Sequence, residues 1–128
     1  MSIRSIDHVA LPLQNTDAMI AFYEALGFTC EQNRVLVTMH LDQQMINFHR
    51  PELWQRGFEL RAPAATPPCG DLCFVWGGSS AALQATLDGA GAVIEAGPVA
   101  RPGGRRTEGT SVYTRDPDGN LLEFIQYE

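Results

Sequence analysis

Tyr113-Thr114-Arg115-Asp116-Pro117-Asp118-Gly119-Asn120-Leu121-Leu122-Glu123-Phe124-Ile125 reads as two strands joined by a tight turn. Pro117 fixes φ, Gly119 supplies a positive φ, and apolar residues resume on either side. Within the second strand, Glu123 alternates with Leu122 and Phe124. A carboxylate on a half-buried strand must find a partner or lose its charge. The other end of the chain repeats the pattern with an imidazole, His8 in Ile6-Asp7-His8-Val9-Ala10-Leu11. Two good metal-binding groups placed in this way suggest one shared site.

Working outward, residues 4–13 read as a strand, and Asn15, Thr16 or Asp17 can cap a helix with the apolar face Met19, Ile20, Phe22, Tyr23 and Leu26. Gly27 ends it as a left-handed cap. Strands are expected at 28–31, 35–40 and 45–49, the last two joined by Asp42-Gln43-Gln44. A second pass runs through Asp71–Trp76, a helix over 80–90 closed by Gly91, and strands at 92–96, 111–115 and 121–127. At a shift of 64 positions, Ala18, Ala21, Glu24, Gly27 and Glu31 fall on Ala82, Ala85, Asp88, Gly91 and Glu95. Residues 1–128 are therefore expected to form a single domain of two βαβββ modules, about 3–50 and 70–127, joined by a loop at 51–69.

That loop carries Pro51, Pro63, Pro67 and Pro68 and no clear period, which marks a crossing segment or flap. Trp54 and Phe58 within it either cover a site or anchor the loop to the core.

Composition narrows the function classes. With 128 residues, 45% hydrophobic and 19% charged, the chain suits one globular domain. A formal charge of −6 and scattered basic residues, all nine of them arginine, oppose nucleic-acid binding. The absence of lysine removes Schiff-base chemistry. No apolar run approaches the roughly 20 residues that span a bilayer, and the amino terminus lacks signal-peptide regions, so the expectation is a cytoplasmic protein without membrane contact. Cys30, Cys69 and Cys73 cannot all pair internally and fit reduced thiols.

The His8 strand, the helix end Ala21-Phe22-Tyr23-Glu24-Ala25-Leu26-Gly27-Phe28 and the hairpin Tyr113–Phe124 together resemble the vicinal oxygen chelate superfamily. It includes glyoxalase I, fosfomycin-resistance transferases, bleomycin-binding proteins and extradiol dioxygenases. The resemblance implies an α+β fold whose two modules form a curved, open β-sheet cleft, with metal ligands on the first and last strand of each module. It also implies a homodimer, because open modules complete their clefts through partner contacts.

In such proteins His8 and Glu123 match two of the usual ligands. Met45-Ile46-Asn47-Phe48-His49 parallels Leu121-Leu122-Glu123-Phe124-Ile125, so Asn47 is the internal counterpart of Glu123 and His49 shares its face. The preferred set is His8, His49 and Glu123. Asp71 is a fourth ligand or an acceptor for an imidazole if the loop after its strand is one residue longer; otherwise Leu72 lies opposite His8. Such donors suit iron, manganese, nickel or zinc, leaving positions for two neighbouring oxygens of a small-molecule substrate.

Substrate-binding candidates are Asn47, Trp54, Tyr113 and Arg115. Tyr113 either presents its phenol or fills the sheet, and Arg115 is a possible partner of Glu123. His40 has no matched position and reads as surface or packing. Arg101, Arg105 and Arg106 are either an anion-binding loop or a solvated one.

Where glyoxalase I carries a glutamate, this chain has Asn47, and an amide cannot shuttle a proton, which argues against lactoylglutathione lyase chemistry. Two functions follow: a metal-dependent enzyme of glyoxalase-like or dioxygenase-like type, or a metal-free binding protein of the bleomycin-resistance type with Trp54, Phe58, Trp76 and Tyr113 lining its cleft.

Overall fold

The computed structural model describes residues 2–128. The first module contains β1 (His8–Pro12), α1 (Thr16–Leu26), β2 (Thr29–Gln32), β3 (Leu36–Leu41) and β4 (Gln44–His49). After α2 (Pro51–Trp54), the second contains β5 (Asp71–Val75), α3 (Ser80–Gly89), β6 (Ala96–Pro102), β7 (Glu108–Arg115) and β8 (Leu121–Gln126). Each builds a four-stranded sheet, in the orders β1-β4-β3-β2 and β5-β8-β7-β6. First and last strands of each module are therefore parallel neighbours, and the remaining pairs are antiparallel. The fold is α+β with two open mixed sheets, as the family resemblance implied.

The helices form for different local reasons. α1 buries Met19, Phe22 and Tyr23 on one side and stops at Gly27, whose φ of 108° lets its N–H reach the carbonyls of Glu24 and Tyr23. α3 starts conventionally, with Ser79 accepting a hydrogen bond from the Ala82 N–H. Asn15, at the equivalent place before α1, makes no such cap; its amide donates instead to Asp118.

Alternation along the strands sends Val9, Leu11, Val37, Met39, Ile46 and Phe48, and likewise Leu72, Phe74, Val112, Leu122 and Phe124, into one continuous core. Tyr23 contacts Phe22, Phe28 and Phe48, while Phe28 meets Phe74 and Phe74 meets Phe124, so aromatic contacts run from one module to the other. The Asp116–Asn120 turn locks the modules further. Tyr23 Oη donates to Asp116 Oδ2 at 2.7 Å, and Asp118 accepts from the Gln14 and Asn15 N–H groups.

Three elements differ from the sequence reading. β1 pairs only from His8, because the preceding residues 2–7 are exposed and have no strand neighbour. β6 begins at Ala96 and runs through Arg101 and Pro102, four residues beyond the expected strand start. Its ladder with β7 slips between Ala96 and Val99, where Pro98 has no N–H to contribute. Finally, the connecting loop opens with a short helix, for which Pro51 at the first turn is well suited.

Candidate functional site

Strand periodicity leaves one face of each sheet turned away from the core. On the first sheet this face carries His8 and Ala10 of β1, Thr38 of β3, and Met45, Asn47 and His49 of β4. On the second it carries Asp71 and Cys73 of β5, Tyr113 and Arg115 of β7, and Glu123 of β8. The two faces correspond position by position. His8 pairs with Met45, two residues before Asn47; Asp71 pairs with Leu121, two residues before Glu123. Thus Asp71 is the counterpart of His8, and Asn47 that of Glu123.

His8 is oriented by its neighbour: Nδ1 lies 2.7 Å from Asp7 Oδ1, and the tautomer donating there leaves Nε2 available. The side chain is 43% exposed. Glu123 is held by Ser111, whose hydroxyl donates to Oε2 at 2.6 Å. Cys73 pairs directly across from Glu123, and burial together with that carboxylate pushes its thiol up to about 11. Asn47 accepts from the Thr38 hydroxyl at 2.7 Å, which fixes its amide orientation.

The other candidates have specific partners. Tyr113 Oη accepts from Arg101 Nε at 3.1 Å, and the Arg101 guanidinium sits 5.7 Å from the ring centre. Arg115 binds Glu95 at 2.9 Å and the Gly119 carbonyl, so it is not the partner of Glu123. Trp54 Nε1 donates to the Leu13 carbonyl and anchors the loop. Trp76 Nε1 donates to Ser79. His40 lies 3.5 Å from Glu31 at the sheet margin. Arg101 belongs to β6 and Arg105 stacks 4.4 Å over Tyr127, so the arginine cluster is tethered to the hairpin.

The set His8, His49 and Glu123 is not assembled within one chain. His49 pairs with Pro12, four residues beyond His8, which separates the two imidazoles by about 13 Å along the strands. Its ring instead packs edge-on against Phe58, with centroids 5.2 Å apart. Among the described residues, no group of three or more His, Cys, Asp or Glu side chains is placed to hold a metal ion. A crevice of about 190 Å³ between the modules includes His8, Met45, Phe28, Cys73 and Phe74 in its lining. It is smaller than the usual small-molecule pocket of about 300 Å³ or more.

Paired βαβββ sheets with uncovered, pseudo-equivalent faces define the glyoxalase type of fold. A family model described as the Glyoxalase/Bleomycin resistance protein/Dioxygenase superfamily matches residues 5–124, and the chain belongs to that superfamily. It is 40% identical to virulence protein STM3117 of Salmonella typhimurium over 131 aligned positions, covering 99% of this chain and 87% of the relative. It is 36% identical to the glyoxalase domain-containing protein RDO1 of Mycosarcoma maydis, covering 100% of this chain and 71% of that protein. An integron cassette protein from the mobile metagenome of V. cholerae superposes with a TM-score of 0.87 at 31% identity, covering 100% and 98% of the two chains. No described helix is long and apolar enough to cross a membrane.

Proposed function

We propose that the protein is a divalent-metal-dependent enzyme of glyoxalase-like or dioxygenase-like type, acting in the cytoplasm on a small, oxygen-rich molecule. The observation that carries this reading is the matched register of His8 with Asp71 and of Asn47 with Glu123 on the two open faces. His8, Asp71 and Glu123 are the proposed ligands, and a homodimer completes the trough by setting the first sheet of one copy against the second sheet of another. One imidazole and two carboxylates suit iron, manganese, nickel or zinc. Bound there, the ion supplies a Lewis acid for two neighbouring substrate oxygens.

The chain's own residues do the positioning. Asp7 holds the His8 ring, Ser111 holds the Glu123 carboxylate, and Asn47 offers an amide to the substrate. Because that amide neither takes up nor releases a proton as an acid or base near neutral pH, lactoylglutathione lyase activity is not proposed.

Metal analysis of protein purified without chelator, together with light scattering, tests the reading. The expected result is a particle of twice the chain mass with near-stoichiometric metal, falling at least about tenfold in His8→Ala and Glu123→Ala. Undiminished metal in both variants rejects the ligands, and a concentration-independent monomer rejects the shared trough. The apolar side chains of Phe28, Met45 and Phe74 in the crevice between the modules favour a second reading, metal-free small-molecule binding of the bleomycin-resistance type. Ligand binding that survives chelation and both substitutions selects it.

A further inference from the structure

We propose that Arg105, Trp76 and the Gly77-Gly78 turn form a subsite for an oxyanion, the carboxylate or phosphate end of the bound molecule, beyond Glu123 on the second sheet. This rests on the reading of the open faces as a small-molecule surface but requires no metal. A cavity of about 220 Å³ lies at this end of the sheet, and its lining includes Trp76, Gly77, Gly78, Arg105, Tyr127 and Glu128. Val75, also in the lining, pairs with Ile125. That pair is two residues beyond Cys73 and Glu123, so the cavity begins about 7 Å from Glu123 along the strands.

The walls are held by specific contacts. Trp76 Nε1 donates to the Ser79 carbonyl, and a Cβ on Gly78 would stand 3.1 Å from that nitrogen, so only glycine lets the turn lie on the indole. Gln126 ties the turn down by donating to the Gly78 carbonyl and accepting from the Ser80 hydroxyl. In the β6–β7 loop, Gly103 packs directly against the Tyr127 hydroxyl, which accepts from the Arg105 N–H at 3.4 Å. The Arg105 guanidinium is thereby laid over the Tyr127 ring, 4.4 Å from its centre. An exposed arginine is thus held in one place, yet among the described residues it forms no salt bridge. Glu128, the other charged side chain in the lining, is exposed and screened by solvent. Gly77 keeps the space open, since a Cβ there would meet nothing within 4 Å. A fixed, unpaired guanidinium beside an open cavity matches carboxylate and phosphate oxygens. A ligand with its oxygen pair near Glu123 would reach it with an anionic end.

The test is a titration of chelator-treated, ¹⁵N-labelled protein with inorganic phosphate, and separately with acetate, at constant ionic strength set by chloride. The two indole N–H signals are followed, Trp76 as the reporter and Trp54, held at the Leu13 carbonyl, as the control. The expected result is a saturable shift of Trp76 alone. Affinity should fall at least about tenfold in Arg105→Gln, which removes the charge, and in Gly77→Val, which adds bulk to the lining and keeps the charge. The phosphate and acetate arms decide which oxyanion fits. An absent or non-saturating Trp76 shift, equal shifts of both indoles, or binding that survives Arg105→Gln overturns the proposal. Arg105 is exposed, so its substitution decides the matter even if Gly77→Val disturbs the turn. Because metal has been removed, this outcome is separate from the fate of the proposed ligands.

Discussion

The two modules share a strand order and a core, yet their open faces differ in chemistry. The first presents His8, Asn47 and His49; the second presents Asp71, Cys73 and Glu123. Core positions on both sheets are filled by the same kind of residue, because every aliphatic or aromatic side chain there meets the same demand for dense packing. The open faces were free of that demand. Nitrogen donors on one and carboxylates on the other make the faces complementary rather than redundant, which is why a trough combining both is chemically richer than either sheet.

The connection between the modules offers the sharpest way to break this comparison. Asp116 is buried and accepts from Tyr23 Oη, Asn120 Nδ2 and the backbone N–H groups of Asp118, Gly119 and Asn120. Burial raises its pKa above the ordinary value and, with Asp116 alongside, also raises that of Tyr23. Asp116→Ala leaves these donors without an acceptor and is expected to cost about 3–5 kcal/mol, against about 1–2 kcal/mol for Tyr23→Phe. Urea midpoints measure both. A loss below that of Tyr23→Phe would mean that the modules are held by the aromatic core alone.

Helix starts sharpen it next. Ser79→Ala removes a true cap and should cost about 1 kcal/mol. Asn15→Ala removes only the contact to Asp118, with an expected cost of about 0.5 kcal/mol. A double-mutant cycle with Asp118→Ala should find coupling for Asn15 and none for Ser79. Equal coupling would erase the distinction between a local cap and an intermodule tie.

A kinetic probe gives the smallest structural perturbation. Burial, and then Glu24, pushes the Cys30 thiol up to about 11 from 9.0, so at pH 8 it holds about a hundredfold less thiolate than an ordinary thiol. Its alkylation by iodoacetamide, followed by peptide mass spectrometry, should accelerate about tenfold per pH unit above pH 8. Glu24→Gln should move the profile to lower pH. A profile that levels off near pH 9, as for an ordinary thiol, would mean that β2 opens to solvent independently of its sheet.

The sequence made the hairpin legible because Pro117 and Gly119 constrain backbone angles locally, and it made α1 legible because its apolar period and Gly27 agree. The equivalence of Asn47 and Glu123 was readable by laying the last strand of one module, Met45–His49, on that of the other, Leu121–Ile125. His49 was not readable in the same way. Periodicity says which face a side chain occupies but not how far along the neighbouring strand it lies, and the β1–β4 register supplies that distance.

Local constraints in the chain therefore determined the elements, their order, the core residues and the presence of imidazole and carboxylate at matched strands. Tertiary structure alone decided that His8 and His49 stand apart, that Arg115 belongs to Glu95, and that Asp116 joins two modules. The division has one cause: dihedral preference and hydrophobic period act over a few residues, whereas register and loop packing are set by groups far apart in the chain.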